Sequence, residues 1–213
     1  MDEVIDQFRS DLLAWGAENV RRFPWRDPDA DLYEVFVAEF FLTQTPASNV
    51  AKVYPHFVER YPTLNSLQDA SKADIVELIR PLGFYNQRSE ALVTIADTVD
   101  TLPTDPAELR QLPQVGTYVA EATLCFSEHE PYAIVDKNVR RVYSRVFAEE
   151  WPTSTSEKRD FARRLLPEER ARSYNLALLD FGALVCTPRL PDCKQCFASD
   201  YCTYYNNVEM QDR

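Results

Sequence analysis

A chain of 213 residues, 45% of them hydrophobic, can bury a sizeable core as one large domain or two small interlocked ones. Its 34 acidic and 23 basic side chains leave a formal net charge of −11, which opposes phosphate binding unless the cations gather on one face. No apolar run approaches the roughly 20 residues of a membrane span, and the acidic Met1-Asp2-Glu3 start does not open a signal or transit peptide.

A soluble cytoplasmic protein follows as the expectation. The cations do cluster: Arg21, Arg22 and Arg26; Lys137, Arg140, Arg141 and Arg145; Lys158, Arg159, Arg163 and Arg164. A dipolar molecule with one basic face fits this pattern, as does an acidic surface suited to high salt.

Val4, Ile5, Phe8, Leu12, Leu13 and Trp15 repeat at helical spacing, which predicts an amphipathic helix over about 3–20. Phe23-Pro24-Trp25-Arg26 breaks it. Asp31 followed three residues later by Glu34 is a capping box for a helix from Leu32 to about Thr45. That helix is apolar on nearly every side and therefore reads as a buried central helix. Glu39 lies inside it, with Val35, Phe36, Leu42 and Thr43 as its i±3 and i±4 neighbours. Burial of a carboxylate there is costly unless it is paired or protonated, and its pKa is expected to rise. Further helices are predicted near 47–60, 72–80 and 87–100, then near 138–148, 156–166 and 171–185. No stretch alternates convincingly as a strand, so the expected class is all-α.

Between these groups lies Leu112-Pro113-Gln114-Val115-Gly116, read as a tight turn joining a helix over about Pro106–Gln111 to one that opens after Gly116. It is either a plain αα-turn or a nest of outward backbone N–H groups suited to a phosphate. Some twenty residues beyond Gly116, Asp136 ends an apolar run and starts another helix. It reads as an N-cap, and also as a fixed negative charge kept ionised by the helix N-terminus.

Four of the five cysteines crowd the C-terminus as Cys186, Cys193, Cys196 and Cys202, spaced C-x6-C-x2-C-x5-C. This is a metal-binding pattern rather than a disulfide framework. Four thiolates on one loop enclose either a zinc ion or a [4Fe–4S] cluster. One short knuckle with two wider arms favours the cluster. Cys125 reads as a core residue.

These features together resemble the helix-hairpin-helix DNA glycosylases of the endonuclease III superfamily, over about Phe8 to Cys202. The resemblance is carried by the hairpin, by Val135-Asp136-Lys137-Asn138-Val139-Arg140-Arg141-Val142 and by the cysteine spacing. Ala38-Glu39-Phe40-Phe41-Leu42-Thr43-Gln44-Thr45 is similar to the segment carrying the catalytic glutamate of MutY adenine glycosylases, and to the matching segment of thymine mismatch glycosylases. Cys186-Thr187-Pro188-Arg189 resembles the adenine branch. In Leu82-Gly83-Phe84-Tyr85-Asn86-Gln87-Arg88, Phe-Tyr is similar to the adenine branch and Asn-Gln-Arg to the thymine branch, to which Leu124-Cys125-Phe126 also leans.

The resemblance implies a six-helix barrel with a helix-hairpin-helix over 28–135, and an iron–sulfur cluster domain formed by both termini, 1–27 and 136–213. It implies a [4Fe–4S] cofactor and, as partner, double-stranded DNA with a mismatched or damaged base, flipped out for chemistry. A nucleoid-associated monomer is expected. Asp136 would stabilise an oxocarbenium sugar while Glu39 protonates a purine leaving base or positions water for a pyrimidine. Glu39 has a purely structural reading too, capping buried N–H groups. Tyr118 occupies the position of the Schiff-base lysine of bifunctional members, and a phenol cannot form an imine; lyase chemistry is not expected. Gln44 and Tyr85 match the positions that wedge into the duplex. Gln114, Val115, Gly116, Asn138 and Arg140 complete the expected DNA contacts, and Lys137 reads as a phosphate contact or a solvated charge.

Glycine is usual at the position of Gln114, and a glutamine there is costly if φ is positive. No segment resembling the 8-oxoguanine-reading domain of full-length adenine glycosylases follows the cysteines, which favours thymine or uracil opposite guanine. Adenine opposite guanine or 8-oxoguanine is the alternative, and a non-catalytic mismatch-binding module on the same fold is the second.

Overall fold

Every regular element among residues 2–211, those that the computed structural model describes, is helical. Met1, Asp212 and Arg213, at the outer ends of the expected cluster domain, lie outside the described residues. In chain order the α-helices are α1 (Asp2–Asn19), α2 (Leu32–Leu42), α3 (Ala47–Arg60), α4 (Leu64–Gln68), α5 (Lys72–Ile79) and α6 (Tyr85–Thr98). They continue with α7 (Pro106–Leu109), α8 (Thr117–Ser127), α9 (Lys137–Val146), α10 (Thr155–Leu165), α11 (Ala171–Leu184) and α12 (Thr203–Gln211). No helix among the described residues is long and apolar enough to cross a membrane.

The chain divides into two units, one running from Arg22 to His129 and one built from both chain ends, up to Arg21 and from Glu130 onward. The middle unit is organised around α2. Its predicted capping box is present: Glu34 N donates to Asp31 Oδ1 at 2.8 Å and Asp31 N to Glu34 Oε2 at 3.0 Å. From Val35 to Phe41 every residue is buried. Helix α8 packs along α2 through its own buried run of Val119, Ala120 and Ala122 to Phe126. Pro106 opens α7 at its first turn, with Asp105 capping two backbone amides. That helix stops at Leu109, two residues short of expectation, because the chain tightens into the hairpin through Gln111 and Leu112.

Two helices were not anticipated. The five-residue α4 is too short to show a period, and α12 follows the last cysteine without an apolar stripe.

In the unit built from the chain ends, α1 lies along α11, and α11 along α9. A half-buried ion pair holds the exit of α1: Arg21 donates from its backbone N (2.7 Å) and guanidinium (2.5 and 3.0 Å) to Asp180, which is fully buried. Phe8, Tyr143, Phe147 and Phe161 pack edge to face in the core beside them.

The α1–α11 approach is set by small residues. A Cβ added at Gly16 would stand 2.5 Å from the Cβ of Ala177, a rigid atom fixed to the neighbouring helix. Alanine at this position gains about 1 kcal/mol of helix propensity, but forces two packed helices apart, which costs about 1–3 kcal/mol. Gly16→Ala is therefore expected to destabilise the protein in urea unfolding. A variant as stable as the parent would show that the α1–α11 spacing is soft.

Candidate functional site

Glu39 is 3% exposed, midway along α2 among the apolar neighbours expected from its helical position. The Tyr118 hydroxyl, in the first turn of α8, donates to Glu39 Oε2 at 3.0 Å. The two side chains meet because α8 starts directly after the hairpin and packs on α2. The group that α8 turns toward Glu39 is thus a neutral phenol hydroxyl.

The hairpin itself carries an unusual backbone. Gln114 has φ of 61°, the left-handed region that costs a non-glycine residue roughly 1 kcal/mol. Its side chain gives a compensating bond, Nε2 donating to the Gln87 carbonyl at 2.7 Å. The anticipated cost of glutamine is real, and the hairpin meets it by tying itself to the first turn of α6. Val115 is buried, with its N–H on the Leu112 carbonyl at 3.2 Å. Gly116 caps α8 with φ of −85° and no side-chain hydrogen bond, and an added Cβ there would meet nothing within 4 Å.

Gln44 and Phe84 are also left-handed, with φ of 57° and 50°, and both side chains are exposed, Phe84 to 55%. Tyr85 is half-buried and its ring is covered by the Arg80 guanidinium at 5.4 Å. Phe84 is thus the freer aromatic of this turn. It takes the N-cap position of α6, which starts two residues earlier than the sequence suggests. Between these turns lies Arg88, 3% exposed, donating to the carbonyls of Phe41 (2.8 Å) and Thr43 (2.6 Å) and to the Thr45 hydroxyl (2.8 Å).

In the other unit, Asp136 is the N-cap of α9: Oδ1 accepts from Val139 N at 2.8 Å and Oδ2 from Asn138 Nδ2 at 3.1 Å. Asn138 Oδ1 in turn accepts from Arg141 Nη2 at 3.0 Å. Arg141 is anchored on the carbonyls of Gly182 (2.6 Å) and Cys186 (2.8 Å). Gly182 permits this closeness, because a Cβ there would fall 2.9 Å from Asn138 Cβ. The helix N-terminus was expected to keep Asp136 readily ionised. Burial outweighs it: desolvation raises the carboxyl above the usual aspartate value, against the Val139 and Asn138 hydrogen bonds and the charges of Arg141 and Lys137. Lys137 and Arg140 themselves point to solvent as exposed residues.

All four C-terminal cysteines line one concavity, walled by Val146, Phe181, Val185, Pro191 and two tyrosines. Arg145 Nη1 donates to Cys186 Sγ at 3.4 Å, and its guanidinium stacks 4.6 Å from the Tyr204 ring centre. Burial, then the proximity of the other thiols, pushes Cys193 and Cys202 up, and Cys196 up to about 11. Mutually repelling soft donors facing one apolar hollow suit a thiolate-bound metal group, which supplies the missing positive charge. Among the described residues no three His, Cys, Asp or Glu side chains are arranged as ligands of a single metal ion.

Sequence reading missed Phe84, Arg88 and Arg141. Arg141 stands three residues after Asn138 on α9, a spacing that placed it within reach. For Arg88 and Phe84 no local pattern marks the role.

The raised Asp136 pKa has a sign that can be checked. Folding favours the protonated form, so this group's contribution to stability is complete below about pH 3.9 and is lost as pH rises through the folded pKa. Asp136→Asn, which can still cap the helix, escapes that loss. Its melting temperature relative to the parent should climb between about pH 4 and pH 7; a flat or falling difference would mean that the cap dominates burial.

A model of the HhH-GPD superfamily of base excision DNA repair proteins matches residues 37–167. A thymine-DNA glycosylase of Aeropyrum pernix is 34% identical over 95% of this chain and 96% of its own length. An adenine DNA glycosylase of Mycobacterium tuberculosis is 38% identical over 92% of this chain, which spans 66% of that relative. Among solved structures, a thermostable thymine-DNA glycosylase superposes with a TM-score of 0.91 at 31% identity, covering 97% of this chain and 98% of its own. With its hairpin, its buried glutamate and its capping aspartate in place, the chain belongs to the HhH-GPD superfamily of base excision DNA repair proteins.

Proposed function

We propose that this protein is a monofunctional mismatch-specific DNA N-glycosylase, which flips out and excises thymine or uracil opposite guanine. The observation that carries the reading is the buried Glu39 holding a tyrosine hydroxyl, rather than an amine, from the helix behind the hairpin.

In this reaction the bond between C1′ and the base nitrogen breaks, its electron pair leaving with the base, and water adds to the sugar. Asp136 supplies a preorganised negative charge for the oxocarbenium-like sugar, oriented by Val139 N and by Asn138. Arg141 fixes the Asn138 amide so that its NH2 faces the carboxylate. Glu39 manages the proton, positioning and deprotonating water for a pyrimidine. Tyr118 holds that carboxylate and cannot trap the sugar as an imine, so the product is an intact strand with an abasic site.

Gln44 and Phe84, with Tyr85 beside it, fill the space that the flipped nucleotide vacates. The hairpin of Gln114, Val115 and Gly116 receives a backbone phosphate at the N-terminus of α8, where nothing in this chain requires glycine but a close phosphate would. Asn138 and Arg140, at the start of α9, add polar and cationic contact.

Thymine or uracil is supported by the end-to-end match to a thymine-DNA glycosylase. Adenine opposite guanine or 8-oxoguanine is the second reading, supported by the 38% identity to an adenine glycosylase. Duplexes carrying G·T, G·U, A·G and A·8-oxoguanine, assayed under single turnover with alkaline strand cleavage, decide between them. Release of T or U at least about tenfold faster than adenine is expected. Faster adenine release would reverse the assignment, and no release from any duplex would leave a binding module. In the active pair Asp136→Asn should abolish release while duplex binding survives, and Glu39→Gln should slow it about 10²–10⁴-fold. Strand cleavage without alkali, or a high yield of borohydride-trapped adduct, would contradict the monofunctional mechanism.

The resident group we assign to Cys186, Cys193, Cys196 and Cys202 is a [4Fe–4S] cluster, which when bound cross-links the C-terminal loop and adds a redox centre. Anaerobically purified protein should contain about four iron and four sulfide atoms per chain, falling sharply in Cys196→Ser. Stoichiometric zinc without iron would overturn that assignment.

A further inference from the structure

Arg88 is a buried guanidinium to which the proposed chemistry gives no role. It is 3% exposed, and burial lowers its pKa, yet an arginine remains charged. Its three acceptors define what it does. Phe41 is the penultimate residue of α2 and Thr43 its C-cap, so their carbonyls lie at the negative end of that helix. Arg88 caps α2 from the side, reaching across from α6.

The residue between the gripped positions is Gln44, whose φ of 57° is of the kind helices normally assign to glycine after their last turn. Carbonyls on both sides of the Phe41–Thr43 step, and the Thr45 hydroxyl beyond Gln44, are bound by the same guanidinium. The backbone of Gln44 is thereby fixed, with its side chain outward.

The grip continues. Thr45 Oγ1 donates to the Leu82 carbonyl at 3.1 Å. Leu82 precedes Gly83 (φ 75°) and Phe84 (φ 50°), the turn that presents the exposed aromatic. One buried cation thus ties together the two left-handed turns that carry Gln44 and Phe84. All of these groups belong to the middle unit.

We propose that Arg88 is a positioning residue, holding Gln44 directly, and Phe84 through Thr45 and Leu82, in the conformation in which they enter the duplex. This rests on the reading of Gln44 and Phe84 as inserting residues. Arg88 touches neither substrate nor reacting atoms. Lysine cannot replace it, because a single ammonium on a flexible stem lacks the rigid fork that spans carbonyls two residues apart.

The test compares the parent with Arg88→Lys, Thr45→Val, Gln44→Ala, Phe84→Ala, the Gln44→Ala/Phe84→Ala double variant and that double variant carrying Arg88→Lys. The probes are a G·T duplex with 2-aminopurine beside the mismatch, and the matched duplex. Thr45→Val removes only the hydroxyl link, so the proposal stays testable if the lysine variant folds poorly. Arg88→Lys should lower both the fluorescence change on binding and the single-turnover rate by about 10- to 100-fold. Its affinity for the matched duplex should stay within about twofold, since matched binding rests on phosphate contacts.

Arg88→Lys should slow the Gln44→Ala/Phe84→Ala double variant no further, because it acts only through those two side chains. A triple variant slower than the double one by the full effect of Arg88→Lys in the parent would reduce Arg88 to a general stabiliser of the fold and overturn the proposal. So would normal flipping and release in Arg88→Lys and Thr45→Val while Gln44→Ala is impaired. Unimpaired Gln44→Ala and Phe84→Ala would instead sink the insertion reading itself, and the proposal with it.

Discussion

Helix α2 has no polar face, and the middle unit is built to meet that constraint. From Val35 to Phe41 every side chain is buried, so other helices must close on it from several directions, α8 among them. The one carboxylate in that run, Glu39, is consequently almost shut off from bulk solvent and takes a hydrogen bond from within the protein. Tyr118 supplies it because the hairpin sets the start of α8 against the middle of α2. A carboxylate isolated from solvent yet oriented by a neutral donor is suited to handling a single proton, a use that an exposed glutamate would perform poorly.

The arginines show a second regularity. Several of them end on helix-terminal or loop carbonyls rather than on carboxylates alone. Arg88 caps α2; Arg141 binds Gly182 O and Cys186 O at the end of α11. Arg145 takes Thr187 O and Pro188 O in the cysteine loop, and Arg9 takes the carbonyls of Arg164 and Leu165 at the end of α10. A guanidinium has five donors in a planar fork, and the final carbonyls of a helix carry partial negative charge, so the match is electrostatic and geometric at once. In three of these cases the same guanidinium sits beside a residue with a functional reading: Arg88 beside Gln44, Arg141 on Asn138, and Arg145 on Cys186.

Backbone strain follows much the same geography. Of the four left-handed non-glycine residues, Gln44, Phe84 and Gln114 adopt φ between 50° and 61° and each lies beside a hydrogen bond that holds it there, while His129 (φ 61°) ends the middle unit. Side chains on left-handed residues project away from the local turn, and all three are exposed. A sequence built purely for stability would place glycine or asparagine at such positions.

Much was legible in the chain alone, because the signals were local and periodic. The all-helical class, the capping box at Asp31, the burial of Glu39, the N-cap role of Asp136 and the grouping of four cysteines depend on spacings of three to ten residues, which the backbone geometry converts directly into neighbours. Short elements escaped, since α4 offers a single turn and α12 no apolar stripe. What only the tertiary structure decided are the partners far apart in sequence: Tyr118 on Glu39, 79 residues away, Gln114 on Gln87, 27 away, and Arg88 on Phe41, 47 away. It also decided the direction of the Asp136 shift. A cap predicts a stabilised charge, and only packing reveals how much water the carboxylate has lost. Which of two adjacent aromatics faces outward, Phe84 or Tyr85, was likewise settled by a left-handed turn and by Arg80 lying over the tyrosine ring. The residue sequence alone carries no local sign of either.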